Sequence, residues 1–411
     1  MNRRAVHLLQ RIDRAGDGLT TDLFLYALSA AFALLTALTS TLLPHRAWGA
    51  VAVWAYAAAA VVVVVQLATR STAGRAALAW ATGAFAALLP LLIEAVQRAG
   101  GRIDRAQEEV LVVEQMGARL LHHGTPYLSR EAIAALPADE RLMGYSPYQP
   151  GMAVFGLPRA IFGDHWWTDA RVWFAVVSVA ALVIAVRLLP AGPLRVRAIQ
   201  SVAVLPICAL TLATGGDDLP VLTLCLLALA LAATGRWGWA GVAVGAAAAC
   251  KLFAFPVVVV LAAYAVASRR GRSFLPGAVG LPILVLIPPL LIDAAAVVEN
   301  VLRFPLGHGV VTSPAQSPFP GYLIARHLPG GRFITIALLA TVAVVIGIRL
   351  LRRPPRTATT AALIIGWGML AAILLLPTTR FGYLLYPIAF LVWAPALTSD
   401  VSHRALSKHT A

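Results

Sequence analysis

From Arg102 to Pro150 the chain reads RIDRAQEEVLVVEQMGARLLHHGTPYLSREAIAALPADERLMGYSPYQP. This is a polar island in an otherwise apolar sequence. Three apolar runs long enough to cross a bilayer precede it, and about nine follow. Acids, tyrosines and histidines concentrated between membrane spans mark the place where chemistry is expected. Within the island the periodicity predicts one helix over Gln107–Leu121. On a wheel of 100° per residue, Val110, Val113, Met116, Gly117, Leu120 and Leu121 share an arc with Glu109. Glu108, Gln115, Arg119 and His122 fall on the opposite face. Glu108 is therefore expected in water and Glu109 in an apolar stripe, where a carboxylate is costly unless paired or used. Two readings follow for Glu109. One is an i,i+4 pair with Arg105; the other is a carboxylate at the rim of a cavity, its pKa raised for general-base work.

The composition sets the class. The chain has 411 residues, 60% of them hydrophobic and 12% charged, with a mean hydropathy of +0.80. That balance predicts an all-α polytopic membrane protein. Arg3, Arg4, Arg11 and Arg14 are not followed by the short apolar segment and small-residue site of a cleavable signal, so none is expected. Cys208, Cys225 and Cys250 all lie in apolar runs without metal or redox spacing and read as core residues.

Twelve spans are expected, near 22–43, 48–68, 77–97, 168–189, 197–213, 218–234, 238–250, 252–268, 275–293, 332–350, 359–376 and 382–398. With the N-terminus inside and alternating crossings, the inner side receives 19 of the 33 Lys and Arg and only Asp13, Asp17, Asp22 and Asp400. The remaining 14 bases and 14 acids fall outside. Basic residues in every short inner connection satisfy the positive-inside rule. The net charge of +15 thus reflects topology rather than nucleic-acid binding. Both termini are expected in the cytoplasm and the protein in the plasma membrane. Residues 1–76 form a tail and two additional spans, 77–400 the main membrane domain, and 401–411 a cytoplasmic tail. The polar loops 98–167 and 294–331 lie on the outer face.

The unusual residues collect on that face. Gly124-Thr125-Pro126-Tyr127 and Gly144-Tyr145-Ser146-Pro147-Tyr148-Gln149-Pro150 offer tyrosines for either an interfacial belt or a sugar platform. A short surface helix is expected over Pro150–Gly163. Thr214-Gly215-Gly216-Asp217-Asp218 offers a helix cap or ligands for acceptor hydroxyls or a cation. Lys251 is a lone charge between apolar runs; it either snorkels or meets an anionic lipid phosphate. Arg303 and His308, the latter between Gly307 and Gly309, are further candidates for phosphate. Arg380, followed by Tyr383, brings a planar fork suited to phosphate.

Taken together, an acid followed by Gly124-x-x-Tyr127 and Tyr145-x-Pro-x-x-Pro150, then Lys251-Leu-Phe-x-x-Pro256 and Arg380-x-x-Tyr383, resembles the C-type membrane glycosyltransferase superfamily. The pattern is most similar to glycosyltransferase family 87, the polyprenyl-phosphate-mannose-dependent alpha-mannosyltransferases, over about residues 77–400. The resemblance implies a catalytic carboxylate at Glu109 and a donor phosphate held by Lys251, Arg380, His308 and Arg303. It implies sugar or acceptor contacts from Glu114, Tyr127, Tyr145, Tyr148, Gln149, Asp217, Asp218 and Tyr383. The chain departs from the family pattern in carrying glutamate after two additional spans, with Glu114 where a tyrosine is usual. The implied reaction is inverting transfer from a polyprenyl-phosphate sugar to a lipid or glycan acceptor. It needs no further cofactor, no metal and no nucleic acid. A multi-span transporter or lipid flippase is the alternative, weakened by the missing internal repeat.

Overall fold

Each apolar run in the sequence forms a helix in the structure, a computed structural model that describes residues 16–397. Arg3, Arg4, Arg11, Asp13, Arg14, Asp400, Arg404, Lys408 and the 401–411 tail lie outside the described residues. The principal helices in chain order are α1 (Leu19–Thr39), α2 (Leu43–Thr69), α3 (Arg75–Ala99), α4 (Glu108–His123), α5 (Ala170–Leu188), α6 (Pro193–Thr214) and α7 (Asp218–Ala233). They continue as α8 (Trp237–Cys250), α9 (Leu252–Ala267), α10 (Gly271–Arg303), α11 (Gly331–Arg352), α12 (Ala358–Leu375) and α13 (Phe381–Leu397). Eight of the twelve apolar helices are long and apolar enough to cross a bilayer, and α7, α8, α9 and α13 are shorter. A hydrocarbon core of about 30 Å asks for about 20 helical residues. Length and composition thus give eight candidate spans among the described residues, where twelve are expected from hydropathy.

The chain divides into two units. The first comprises α1, α2, α3 and α6, in residues 16–107 and 191–215. Its core is held where helices depart from regularity. Trp48 donates from Nε1 to the Ala86 carbonyl at 2.8 Å, inside the π turn Ala84–Leu88 of α3. Tyr56 donates to Val204 at 2.6 Å, in the π turn Gln200–Val204 ahead of Pro206. Carbonyls released by such irregularities must find donors inside a membrane. At one end of this unit, buried Asp22 accepts from Arg75 at 2.7 Å, Arg197 at 2.5 Å and Gln200 at 2.8 Å. The starts of α1, α3 and α6 therefore lie together.

The second unit contains α4, α5 and α7–α13. Glycines permit its closest contacts. A Cβ on Gly241 or Gly245 of α8 would meet the Phe274 or Gly277 carbonyl of α10 at 2.1 Å, the small-residue contact favoured between membrane helices. Four prolines interrupt α10, and its backbone leaves helical geometry at Asp293 (φ −154°, ψ 89°). Asp293 recaps the continuation by accepting from the Ala296 N–H at 2.8 Å. The helix therefore runs on to Arg303 instead of ending at 293, and Pro320–His327 adds a further helix. The expected outer loop 294–331 is thus helical at its start and over residues 320–327.

The first long loop is mostly helical. The helix expected over 107–121 is α4, and Pro150–Gly163 forms a 3₁₀ turn, Pro150–Gly156, followed by Leu157–Phe162. Gly117 and Gly156 press α4 against that turn; a Cβ on Gly117 would lie 2.3 Å from the Gly156 carbonyl carbon. Val110, Val113, Met116 and Gly117 are buried and Glu108 is exposed, as the wheel predicts. Leu121 is 47% exposed instead of buried, because the apolar surface that α4 covers ends one turn earlier.

Candidate active site

Glu109 is the second residue of α4 and the half-buried acid of its first turn. Its Oε1 pairs with Nη1 of Arg380, 271 residues away in sequence. The local alternative fails: Arg105 pairs with Asp104 at 2.8 Å and with Gln97 at 2.6 Å. Arg380 lies in the joint between α12 and α13, and that joint is fixed from both sides. Thr379 N donates to Ala315 O at 3.0 Å, Ser317 N to Thr379 O at 2.9 Å, and Phe381 N to Ser317 Oγ at 2.9 Å. Thr378 Oγ1 donates to Pro305 O at 3.0 Å. Burial would lower the Arg380 pKa, but the charge and hydrogen bond of Glu109, with Tyr383 and Tyr148, together hold the guanidinium above its usual range.

Lys251 joins α8 to α9 and is buried. Its Nζ lies 2.7 Å from Asp217 Oδ2 and 2.6 Å from Asp218 Oδ1. Tyr386 completes the group, donating to Asp218 Oδ1 at 2.7 Å. The ammonium also sits 5.4 Å from the Tyr148 ring centroid and 5.5 Å from that of Tyr383, within reach of a cation–π attraction. Phe253 backs the site, its ring 4.6 Å from Tyr383 and 5.3 Å from Tyr386. Burial by itself would push the Lys251 pKa down, and the two carboxylates reverse the effect and raise it. The lysine thus does not snorkel. Neither aspartate caps α7: Asp217 stands at the cap without a side-chain bond, because both carboxylates turn to the ammonium.

Tyr148 connects the two ion groups. It is buried, and its pKa is driven well above the usual phenol range by desolvation, then by the charges of Asp217 and Glu109. Its backbone is held by Tyr127, whose hydroxyl donates to Tyr148 O at 2.8 Å. The neighbouring Gln149 N donates to Cys250 O at 3.0 Å, seating the loop on the Lys251 joint. Tyr127, Tyr145 and Tyr148 are all buried, so they do not form a surface belt. The structure therefore brings Glu109, Tyr148, Asp217, Asp218, Lys251, Arg380 and Tyr383 into one neighbourhood, with Tyr127 and Gln149 supporting it.

Other sequence candidates lie elsewhere. Glu114 is buried, pairs with Arg159 at 3.2 Å and accepts from Ala170 N at 3.2 Å, tying α4 to the start of α5. Tyr145 stacks on Phe304 with centroids 4.0 Å apart and donates to Glu299 at 2.8 Å. Arg303 is exposed and reaches Glu299 only at 3.7 Å. His308 is also exposed, its carbonyl accepting from Arg130 at 3.0 Å. Arg303, His308 and Tyr145 thus belong to a second group centred on buried Glu299, which Arg130 also grips at 2.8 Å. Asn300 extends it, accepting from Ser146 N and donating to Leu128 O, both at 2.8 Å. Sequence reasoning missed Glu299, Asn300, Arg130 and Tyr386. A signal existed for the first two, an acid and an amide ending an apolar run beside the loop; Tyr386 sits in an apolar run with nothing local to mark it.

The model of glycosyltransferase family 87 matches residues 147–377. The chain belongs to glycosyltransferase family 87. The match spans Tyr148, Gln149, Asp217, Asp218 and Lys251, and Glu109 and Arg380 lie beyond its two ends. No curated protein and no solved structure matches the chain. Family membership and the long apolar helices make the protein a multi-pass membrane glycosyltransferase.

Proposed function

We propose that this glycosyltransferase moves a sugar, mannose in the first instance, from a polyprenyl-phosphate donor to a lipid or glycan acceptor, with inversion. On this reading all twelve apolar helices cross the plasma membrane, both termini are cytoplasmic, and the site faces outward. The observation that carries the proposal is the Glu109–Arg380 pair, one turn before Tyr383, whose ring lies 5.5 Å from the ammonium of the Lys251–Asp217–Asp218 group.

Glu109 takes the proton of an acceptor hydroxyl. The acceptor oxygen bonds to the anomeric carbon as the bond from that carbon to the phosphate oxygen breaks, and the electron pair stays on the phosphate. The donor phosphodiester carries one negative charge and the released phosphomonoester gains a second. Arg380 exchanges Glu109 for the phosphate, which frees the base and places a cation where charge develops. Its attraction grows toward the transition state and so accelerates the step. Lys251 is already matched by two carboxylates, so its role is to hold Asp217 and Asp218 toward the sugar hydroxyls between Tyr148 and Tyr383. The reacting phosphate is assigned to Arg380, which pairs with Glu109, rather than to Arg303 and His308 of the Glu299 group.

Membranes containing the wild-type protein, supplied in turn with labelled polyprenyl-phosphate mannose, glucose and arabinose, test the donor. The expected result is label in an extractable glycolipid or glycan from the mannose donor, lost in R380A. Label from a nucleotide sugar alone, with none from any polyprenyl phosphate, would overturn the proposal.

A further inference from the structure

The second long loop carries charge of one sign. Between Asn300 and Ser399 the sequence holds no Asp or Glu. Arg303 ends α10, Arg332 is the second residue of α11, and both helices are long and apolar enough to cross the bilayer. Consecutive crossings put both arginines on the same side of the bilayer, and the Arg332 contact with the Gly307 carbonyl keeps them close, on the side where phospholipid phosphates can reach them. Arg326, near the end of the helix Pro320–His327, joins them. All three are exposed. Glu299, the acid beside Arg303, is buried and already held by Arg130 and Tyr145; it meets Arg303 only at 3.7 Å. Arg332 contacts a neutral partner, the Gly307 carbonyl at 3.4 Å, and Arg326 lies over the Tyr322 ring. Large apolar side chains surround these charges: Leu306 is 52% exposed, Leu328 50% and Phe333 79%. Exposed apolar groups interleaved with uncompensated guanidinium groups at a span boundary fit a lipid interface rather than a dissolved anion.

We propose that Arg303, Arg326 and Arg332 form a docking surface for the phosphate headgroups of anionic phospholipids, with Leu306, Leu328 and Phe333 set among the chains. This surface is made of different side chains from the Glu109–Arg380 site and does not depend on the reaction assigned there.

The test is native mass spectrometry of the full-length protein released from micelles doped with equal phosphatidylglycerol and phosphatidylcholine of identical chains. The wild type is expected to retain phosphatidylglycerol over phosphatidylcholine by roughly fivefold or more, the factor one well-placed cation supplies. R303Q/R326Q/R332Q should lose the preference, and R303K/R326K/R332K should keep it, since charge at this depth is what matters. An unchanged preference in the glutamine variant, no preference in the wild type, or loss in the lysine variant would each overturn the proposal. Lipid retention is read without any transfer activity, so failure of the glycosyl-transfer mechanism would leave this result standing.

Discussion

Replacing Lys251 by methionine removes the cation from a buried group while keeping the stem that packs between Tyr148 and Tyr383. Two carboxylates, each at most 8% exposed, then lose contacts of 2.7 and 2.6 Å. Breaking a buried ion pair by deleting one partner costs about 3–5 kcal/mol, because the partner's charge is left uncompensated. At about 2 °C per kcal/mol for a body of this size, K251M should melt about 8 °C below the wild type. Intrinsic fluorescence of the ten tryptophans in detergent provides the assay. The sign with pH follows from the charges. With no ammonium beside them, buried carboxylates are costliest when charged, so the penalty is full at neutral pH and shrinks as pH falls and protons replace the lysine. K251M/D217N/D218N should recover at least half of the lost stability, because the amides carry no charge to bury. A K251M protein that melts with the wild type at pH 7, or a triple variant no better than K251M, would refute the assignment of these three residues to one buried ion group.

Gly117→Ala should detach α4 from the turn at Gly156, since the new Cβ would stand 2.3 Å from backbone; overpacking costs about 1–3 kcal/mol, and transfer should fall with it. Burial and neighbouring negative charge keep Tyr148 protonated beyond the usual phenol range, so an ultraviolet titration should show late-ionising tyrosines above the exposed class. Y148F should remove one equivalent from the late phase, and removal from the early phase would contradict the burial.

Much of the fold is legible in the sequence because hydropathy is a local property. Each apolar run found by its length is a helix, and errors sit at ends where side chains change the rule. Asp293 reads as the end of a span, yet it recaps the chain, and α10 continues to Arg303. The site is legible in part. Glu109, Lys251 and Arg380 stand out as charges that apolar surroundings must satisfy. Their partners do not, because pairing across 271 residues leaves no trace in a periodicity. Local rules instead offered Arg105 to Glu109 and a helix cap to Asp217, and tertiary partners took precedence in both places. His308, set between two glycines, reads as a candidate for phosphate, whereas its carbonyl binds Arg130 and the residue is exposed.

The central claim is that Glu109 is the base and that Arg380 is shared between it and the donor phosphate. The most direct measurement takes E109Q and compares transfer of labelled mannose with equilibrium binding of polyprenyl phosphate. Loss of a general base should lower transfer by about 10²–10⁴-fold, while binding of the lipid phosphate stays equal or tightens because Arg380 is released from its partner. Transfer within a few-fold of the wild type, or binding lost together with transfer, would contradict the account.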